Sequence, residues 1–166
     1  QPIRNAVPSA FAAYGHYLGL GLVVASLVTE RLTVKAGMSD EDEEFVGNAD
    51  IVYGLAGVLV LYTGYLRVTE YGKGWDFYQH SPIFWVKMLL FSIMGSSSLF
   101  PTIKIIQRLV ARRNGEDVPP MSEKLASRMT TIINGELLAV GSIPLAAALM
   151  ARGVGYSDAL PWQAGA

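Results

Sequence analysis

The chain has 166 residues, 51% of them apolar and 16% charged, with a formal net charge of −1 and no cysteine. That balance implies no long-range attraction to nucleic acid, so no nucleic-acid partner is expected. The lack of thiols excludes disulfides, thiolate metal sites and iron–sulfur clusters in this chain.

Four apolar stretches, at 9–29, 51–66, 83–103 and 131–151, each approach the roughly 20 residues that cross a bilayer. They predict an all-α fold, a four-transmembrane-helix up-down bundle with an aromatic loop between the second and third spans. Membrane lipids are its first expected partner. A soluble amphipathic bundle would place polar residues every three or four positions, and the runs 18–28 and 143–150 offer almost none. Three segments follow: an extended N-terminal segment 1–8, a four-helix membrane domain 9–152 and a C-terminal tail 153–166.

In chain order, Gln1 stands where an initiator Met would, which leads us to expect a mature N-terminus with a targeting segment removed. Pro8 or Ser9 is expected to open the first helix. Within it Gly15 and Gly19 form a small-xxx-small pair suited to close approach of a neighbouring backbone. Ser39 followed by Asp40, Glu41, Asp42, Glu43 and Glu44 predicts an N-cap and an acidic first turn, a solvated start for a second helix that ends near Thr69. Tyr71, Trp75, Phe77 and Tyr78 mark a loop expected at the headgroup level. The third helix passes Pro101, where a bend is expected, and stops at Asn114-Gly115. Ser122 with Glu123 opens the fourth, which contains Pro144 and ends by Gly153.

Basic residues set the expected orientation. Arg31, Lys35, Lys104, Arg108, Arg112, Arg113, Lys124 and Arg128 gather around the connections after the first and third spans, against Arg4, Arg67, Lys73 and Arg152 on the opposite side. The positive-inside rule then places both termini outside. In a thylakoid that means lumenal termini and stromal loops after the first and third spans.

Ionisable residues inside apolar spans cost several kcal/mol, roughly 2.5 to 3.5 each on insertion scales, and normally face a partner, a cavity or a cofactor. His16, Lys87 and Glu136 are such residues. With this orientation His16, Lys87, His80 and Arg67 share the outer half, whereas Glu136, with Asn134 beside it, lies in the inner half near Glu30, Asp50 and Lys104. His16 is either a neutral imidazole bonded to a hydroxyl or carbonyl on another helix, or an axial ligand to haem iron or chlorophyll magnesium. Lys87 either snorkels outward or serves as a ligand. Glu136 is protonated and hydrogen-bonded, paired with a cation such as Lys104, or bound to a pigment metal. His80 reads as interfacial or as a ligand. The candidate cofactor-binding residues are therefore His16, Lys87, Glu136, His80 and Asn134. No catalytic residue is assigned, because no Ser-His-Asp order, HExxH, phosphate loop or paired-carboxylate motif is present.

His16, Arg67, Lys73-Gly74, Tyr78-x-His80, Phe84-Trp85-x-Lys87 and Glu136 together resemble an uncharacterised family of four-helix membrane proteins of cyanobacteria, other bacteria and plastids, from Tyr14 to Tyr156. More distantly, His16, Trp85 to Lys87 and Asn134-Gly-Glu136 resemble the four-helix membrane protoporphyrinogen oxidases and their copper-resistance relatives, with one residue fewer in the second element and an inserted Gly in the third. That second resemblance implies haem b held by His16 and Lys87. The expected function is a non-enzymatic accessory or scaffold subunit of a larger energy-transducing membrane complex, a photosynthetic thylakoid one, in contact with pigments. The alternative is a haem-b or tetrapyrrole-handling protein, a protoporphyrinogen oxidase-like oxidoreductase, using His16 and Lys87. Chlorophyll and haem b are the cofactors considered, subunits of such a complex the partners, and a bacterial inner membrane the alternative location. Copper transport fits poorly, since no Met-rich stripe or thiol is available for a soft ion.

Overall fold

The fold, from a computed structural model, is described for residues 2–161, with side chains from residue 5 onward. Five helices account for it: α1 (Pro2–Thr33), α2 (Asp40–Thr69), the short α3 (Trp75–Gln79), α4 (Pro82–Arg113) and α5 (Glu123–Ala151). The described residues contain no strand. Each of the four long helices is long and apolar enough to cross a membrane. At 29 to 32 residues and 1.5 Å per residue they reach about 43 to 48 Å, well beyond a hydrocarbon core of about 30 Å.

The helices form a ring. α1 lies along α2 and α4 along α5, while α5 adjoins α1 and α4 adjoins α2; the diagonal pairs share no backbone contact. The apolar centre is built from Val23 and Leu27 of α1, Val46 and Ala56 of α2, Met94 and Ile105 of α4, and Met129, Ile133 and Val140 of α5. Most apolar side chains on the outer faces, such as Leu55, Leu89 and Leu138, are exposed. That is the pattern of a bundle whose solvent is hydrocarbon rather than water.

Cap chemistry fixes the helix ends where the sequence predicts them. The Ser39 hydroxyl accepts from the Asp42 amide at 3.1 Å to start α2, and Ser122 accepts from Leu125 at 3.2 Å to start α5. α4 stops at Arg113, followed by Asn114 and by Gly115 at φ +77°. The N-terminus differs from expectation. α1 begins at Pro2 rather than after an extended 1–8 segment, and Pro8 falls inside the helix. Pro2 occupies the first turn, where amides have no helical partner, whereas α1 runs through Pro8 without the bond that its missing N–H would have made. α4 and α5 likewise continue through Pro101 and Pro144. Trp162 lies outside the described residues.

The two ends of the ring are built differently. At the end carrying the α1–α2 and α4–α5 connections, here the loop end, the Gly37 amide donates to the Met121 carbonyl at 2.9 Å. Arg108 there makes a two-pronged pair with Glu43 at 2.9 and 2.7 Å and also donates to the Pro119 carbonyl. Arg112 joins Glu43 at 2.9 Å and Asp40 at 3.1 Å. The acidic start of α2 is thus more than a solvated turn: Glu43, one turn in, points at α4 and is 4% exposed.

At the opposite, terminal end the expected aromatic loop contains α3 and packs its rings on one another. Trp75 meets Phe84 edge-on at 5.9 Å, Phe77 stacks on Tyr156 at 5.2 Å, and the Trp85 indole donates to the Gln79 carbonyl at 3.0 Å. Lys73 ties this loop to the end of α5 through the Ala151 carbonyl at 3.3 Å. Gly72 permits it, because a Cβ there would run into the Arg67 carbonyl and the Tyr78 hydroxyl. Gly72→Ala is therefore expected to shift the loop and destabilise the chain by about 1–3 kcal/mol. Thermal melting in detergent with tryptophan emission as the probe checks this, the emission changing at unchanged helix content.

Candidate functional site

Fourteen residues separate His16 from Glu30 on α1, about 21 Å along its axis, and each belongs to a different polar group. Near the terminal end, His16 is wedged against α2. Its Nδ1 lies 3.1 Å from the Val60 carbonyl and 3.0 Å from the Thr63 hydroxyl oxygen. Thr63 already donates its hydroxyl proton to the Leu59 carbonyl at 2.6 Å, and a carbonyl can only accept. Nδ1 must therefore carry the hydrogen, which leaves the Nε2 lone pair unprotonated in the neutral ring. Gly64 makes room for the imidazole, since a Cβ there would stand 3.2 Å from Cε1.

Arg67 and Lys87 lie near enough for their charges to act on His16, and Arg67 acts on Lys87. Arg67 also lies over the Tyr17 ring, 5.3 Å from its centroid. Among the described residues, neither Arg67 nor Lys87 makes an ion pair with a carboxylate. His80 is held within the terminal loop: its Nδ1 donates to the Asp76 carbonyl at 2.6 Å, and its ring stands 6.4 Å from that of Tyr156.

Towards the loop end, three carboxylates from three helices converge. Glu30 of α1, Asp50 of α2 and Glu136 of α5 are 2%, 8% and 3% exposed, and Glu30 feels the charge of both others. Glu136 Oε1 accepts from the Tyr53 hydroxyl at 3.3 Å, with Ser98 beside that tyrosine. Asp50 accepts from Thr102 of α4 at 2.9 Å. Glu30 Oε1 is buried without a hydrogen-bond partner.

The structure thus sorts the residues singled out in the sequence. His16, Lys87 and Arg67 come together, as do Glu30, Asp50 and Glu136. Asn134 departs from Glu136, because residues two apart on a helix point about 200° from each other; it is exposed and accepts from Arg31 Nε at 2.6 Å. Lys104 does not pair with Glu136 but reaches Gln107 at 3.5 Å. The sequence reading missed Thr63, which with the Val60 carbonyl accepts from His16 Nδ1, and Tyr53, which holds Glu136. Tyr53 carried a signal, being the lone tyrosine on the loop side of the chain.

Among the described residues, no three His, Cys, Asp or Glu side chains gather as a polydentate metal centre requires. A tetrapyrrole brings its own four nitrogens and asks the protein for one or two axial donors. At the terminal end His16 can supply one such donor. An imidazole fixed through Nδ1 on a carbonyl, with Nε2 unprotonated, has the orientation that second-sphere hydrogen bonds give metal-binding histidines.

A family described as predicted membrane protein (DUF2214) matches residues 8–155. The chain belongs to the DUF2214 family. No curated protein and no solved structure matches it. The matched segment takes in all four membrane-crossing helices and the terminal loop, so both polar clusters of this DUF2214 protein lie within the family region.

Proposed function

We propose that this DUF2214 protein is a non-enzymatic membrane subunit that holds an anionic tetrapyrrole of the haem-b class in the terminal half of its bundle. The observation that carries the reading is the His16 tautomer: Nδ1–H bonded to Val60 and Thr63, Nε2 left as a ligand. Arg67 and Lys87, without carboxylate partners among the described residues, supply positive charge for haem propionates, which leaves His16 as the axial donor. Chlorophyll, esterified and lacking a free propionate pair, uses those cations less well. When bound, such a group supplies one-electron redox capacity or light absorption.

Placement in a larger energy-transducing complex, in a thylakoid or a bacterial inner membrane with termini on the lumenal or periplasmic side, is part of the proposal. Supporting it are the basic residues of the loop end and a set of exposed rings on α1 and α2, Phe11, Tyr14, Tyr62 and Tyr65. The likeness to protoporphyrinogen oxidases bears on the same His16 and Lys87; a catalysed oxidation is not included.

The test is titration of the purified chain with haemin in mild detergent, followed at the Soret band. Thr63→Val, which removes one of the two acceptors of the Nδ1 hydrogen and leaves the Val60 carbonyl, is expected to weaken binding by up to about 10-fold, and Arg67→Met with Lys87→Met to weaken it further, at unchanged helix content. Equal binding by the native chain and a folded His16→Ala variant would count against His16 as the ligand. Native extraction tests the complex: recovery as a lone chain contradicts that part.

A further inference from the structure

Three buried carboxylates at the loop end have no cation among them. Arg31 is turned to Asn134, Arg108 and Arg112 are committed to Glu43, Lys104 reaches Gln107, and Arg128 lies over the Phe100 ring at 4.2 Å. From the four helices that surround the cluster, the groups facing it are Glu30 itself, Asp50 and Tyr53 of α2, Thr102 and Ser98 of α4, and Glu136 of α5. Three like charges would repel one another in an apolar interior that charges a single ion several kcal/mol. A metal ion is an unsuitable remedy, since these side chains do not group around one point as ligands do. A proton is a remedy that needs no such geometry.

The hydrogen bonds say where the proton belongs. Asp50 receives a hydroxyl donor from Thr102 and Glu136 receives one from Tyr53, and a donor favours the ionised form. Glu30, 2% exposed, receives none at Oε1. A cleft between α4 and α5, with about 410 Å³ of space including its open mouth, is lined by Ser97, Thr131 and Glu136 among apolar side chains.

We infer that Glu30, Asp50 and Glu136 form a proton-binding cluster in which Glu30 carries the resting proton. No bond other than O–H is made or broken, and the charge of the cluster changes only when a proton is gained or lost. The site does not depend on a tetrapyrrole, and its test keeps the two proposals apart.

Infrared spectra of the full chain in lipid nanodiscs, with bound tetrapyrrole stripped, read the proton directly through the carboxylic-acid C=O band and its shift in D2O. At neutral pH the native chain is expected to show that band. Glu30→Gln is expected to lose most of it, Asp50→Asn and Glu136→Gln to shift it, and His16→Ala to keep it. The Gln and Asn replacements keep side-chain shape, and a pH titration of the native chain needs no variant at all. Lack of the band in the native chain at neutral pH overturns the inference. So does a band indifferent to all three substitutions, or one that sodium removes at constant pH, which would make the cluster a cation site.

Discussion

Glu43→Gln is expected to lower the stability of this chain more than any other single change of charge, by about 3–5 kcal/mol. The carboxylate is 4% exposed and faces two guanidiniums that are themselves only 14% and 17% exposed. Removing one partner of a buried pair leaves the other charge without compensation, which is costlier than never having had the pair. Here two arginines lose their shared carboxylate at once, Arg112 keeping only the more exposed Asp40 at 3.1 Å, and Arg112 already has one buried nitrogen, Nη1, without a partner. Arg108 also holds the Pro119 carbonyl at 2.7 Å, so the loss loosens α2, α4 and the α4–α5 connection together. In thermal melts in detergent the midpoint should fall by roughly 6–20 °C. Asp42→Asn serves as the contrast: its pair with Lys35 is 3.4 Å long, with side chains 37% and 66% exposed, and such a pair is worth about 1 kcal/mol or less.

Gly19→Leu should have the next largest effect. A Cβ on Gly19 would lie 2.8 Å from Val60 Cγ2 and 3.4 Å from the Ala56 carbonyl oxygen, and one on Gly15 would lie 3.1 Å from Thr63 Cγ2. α1 and α2 touch here almost backbone to backbone, which is how membrane helices gain dispersion contacts without a hydrophobic driving force between them. A flexible side-chain end can yield to a methyl, but a leucine at Gly19 must part the helices, at about 1–3 kcal/mol or more. Parting them has a second consequence, since Gly19 sits one turn beyond His16 and the same seam holds the bonds to Val60 and Thr63. Loss of stability should therefore come with loss of haemin affinity at least as great as that of Thr63→Val. Melting and haemin titration of the same preparation check both, and unchanged affinity in a destabilised variant would show that the seam does not position the imidazole.

The helix ends and the α1–α2 seam were legible because they depend on local chemistry. A serine before an acidic turn caps α2 and α5, an Asn-Gly stops α4, and Gly15 with Gly19 announces a close neighbour. The partners of the polar residues were not legible. In a soluble helix, apolar periodicity reveals the inward face, but here the outward face is apolar too, so nothing in the sequence says that His16 turns to Thr63 or Glu136 to Tyr53. Adjacency in sequence misled for the same reason, and Asn134 and Glu136, two residues apart, serve opposite sides of α5. The N-terminus was misread because Pro8, a residue suited to a helix start, lies inside a helix that already runs from Pro2. Glu43 was read as a solvated charge because its two arginines lie 65 and 69 positions further along the chain.

The central claim is that His16 presents Nε2 to a bound tetrapyrrole, and the absorption spectrum of the chain purified from its native membrane in mild detergent, beside that of His16→Ala, tests it most directly. The account predicts a Soret band in the native chain that is lost or shifted in the variant. A folded native chain without bound tetrapyrrole, or a Soret band unmoved by His16→Ala, would contradict it.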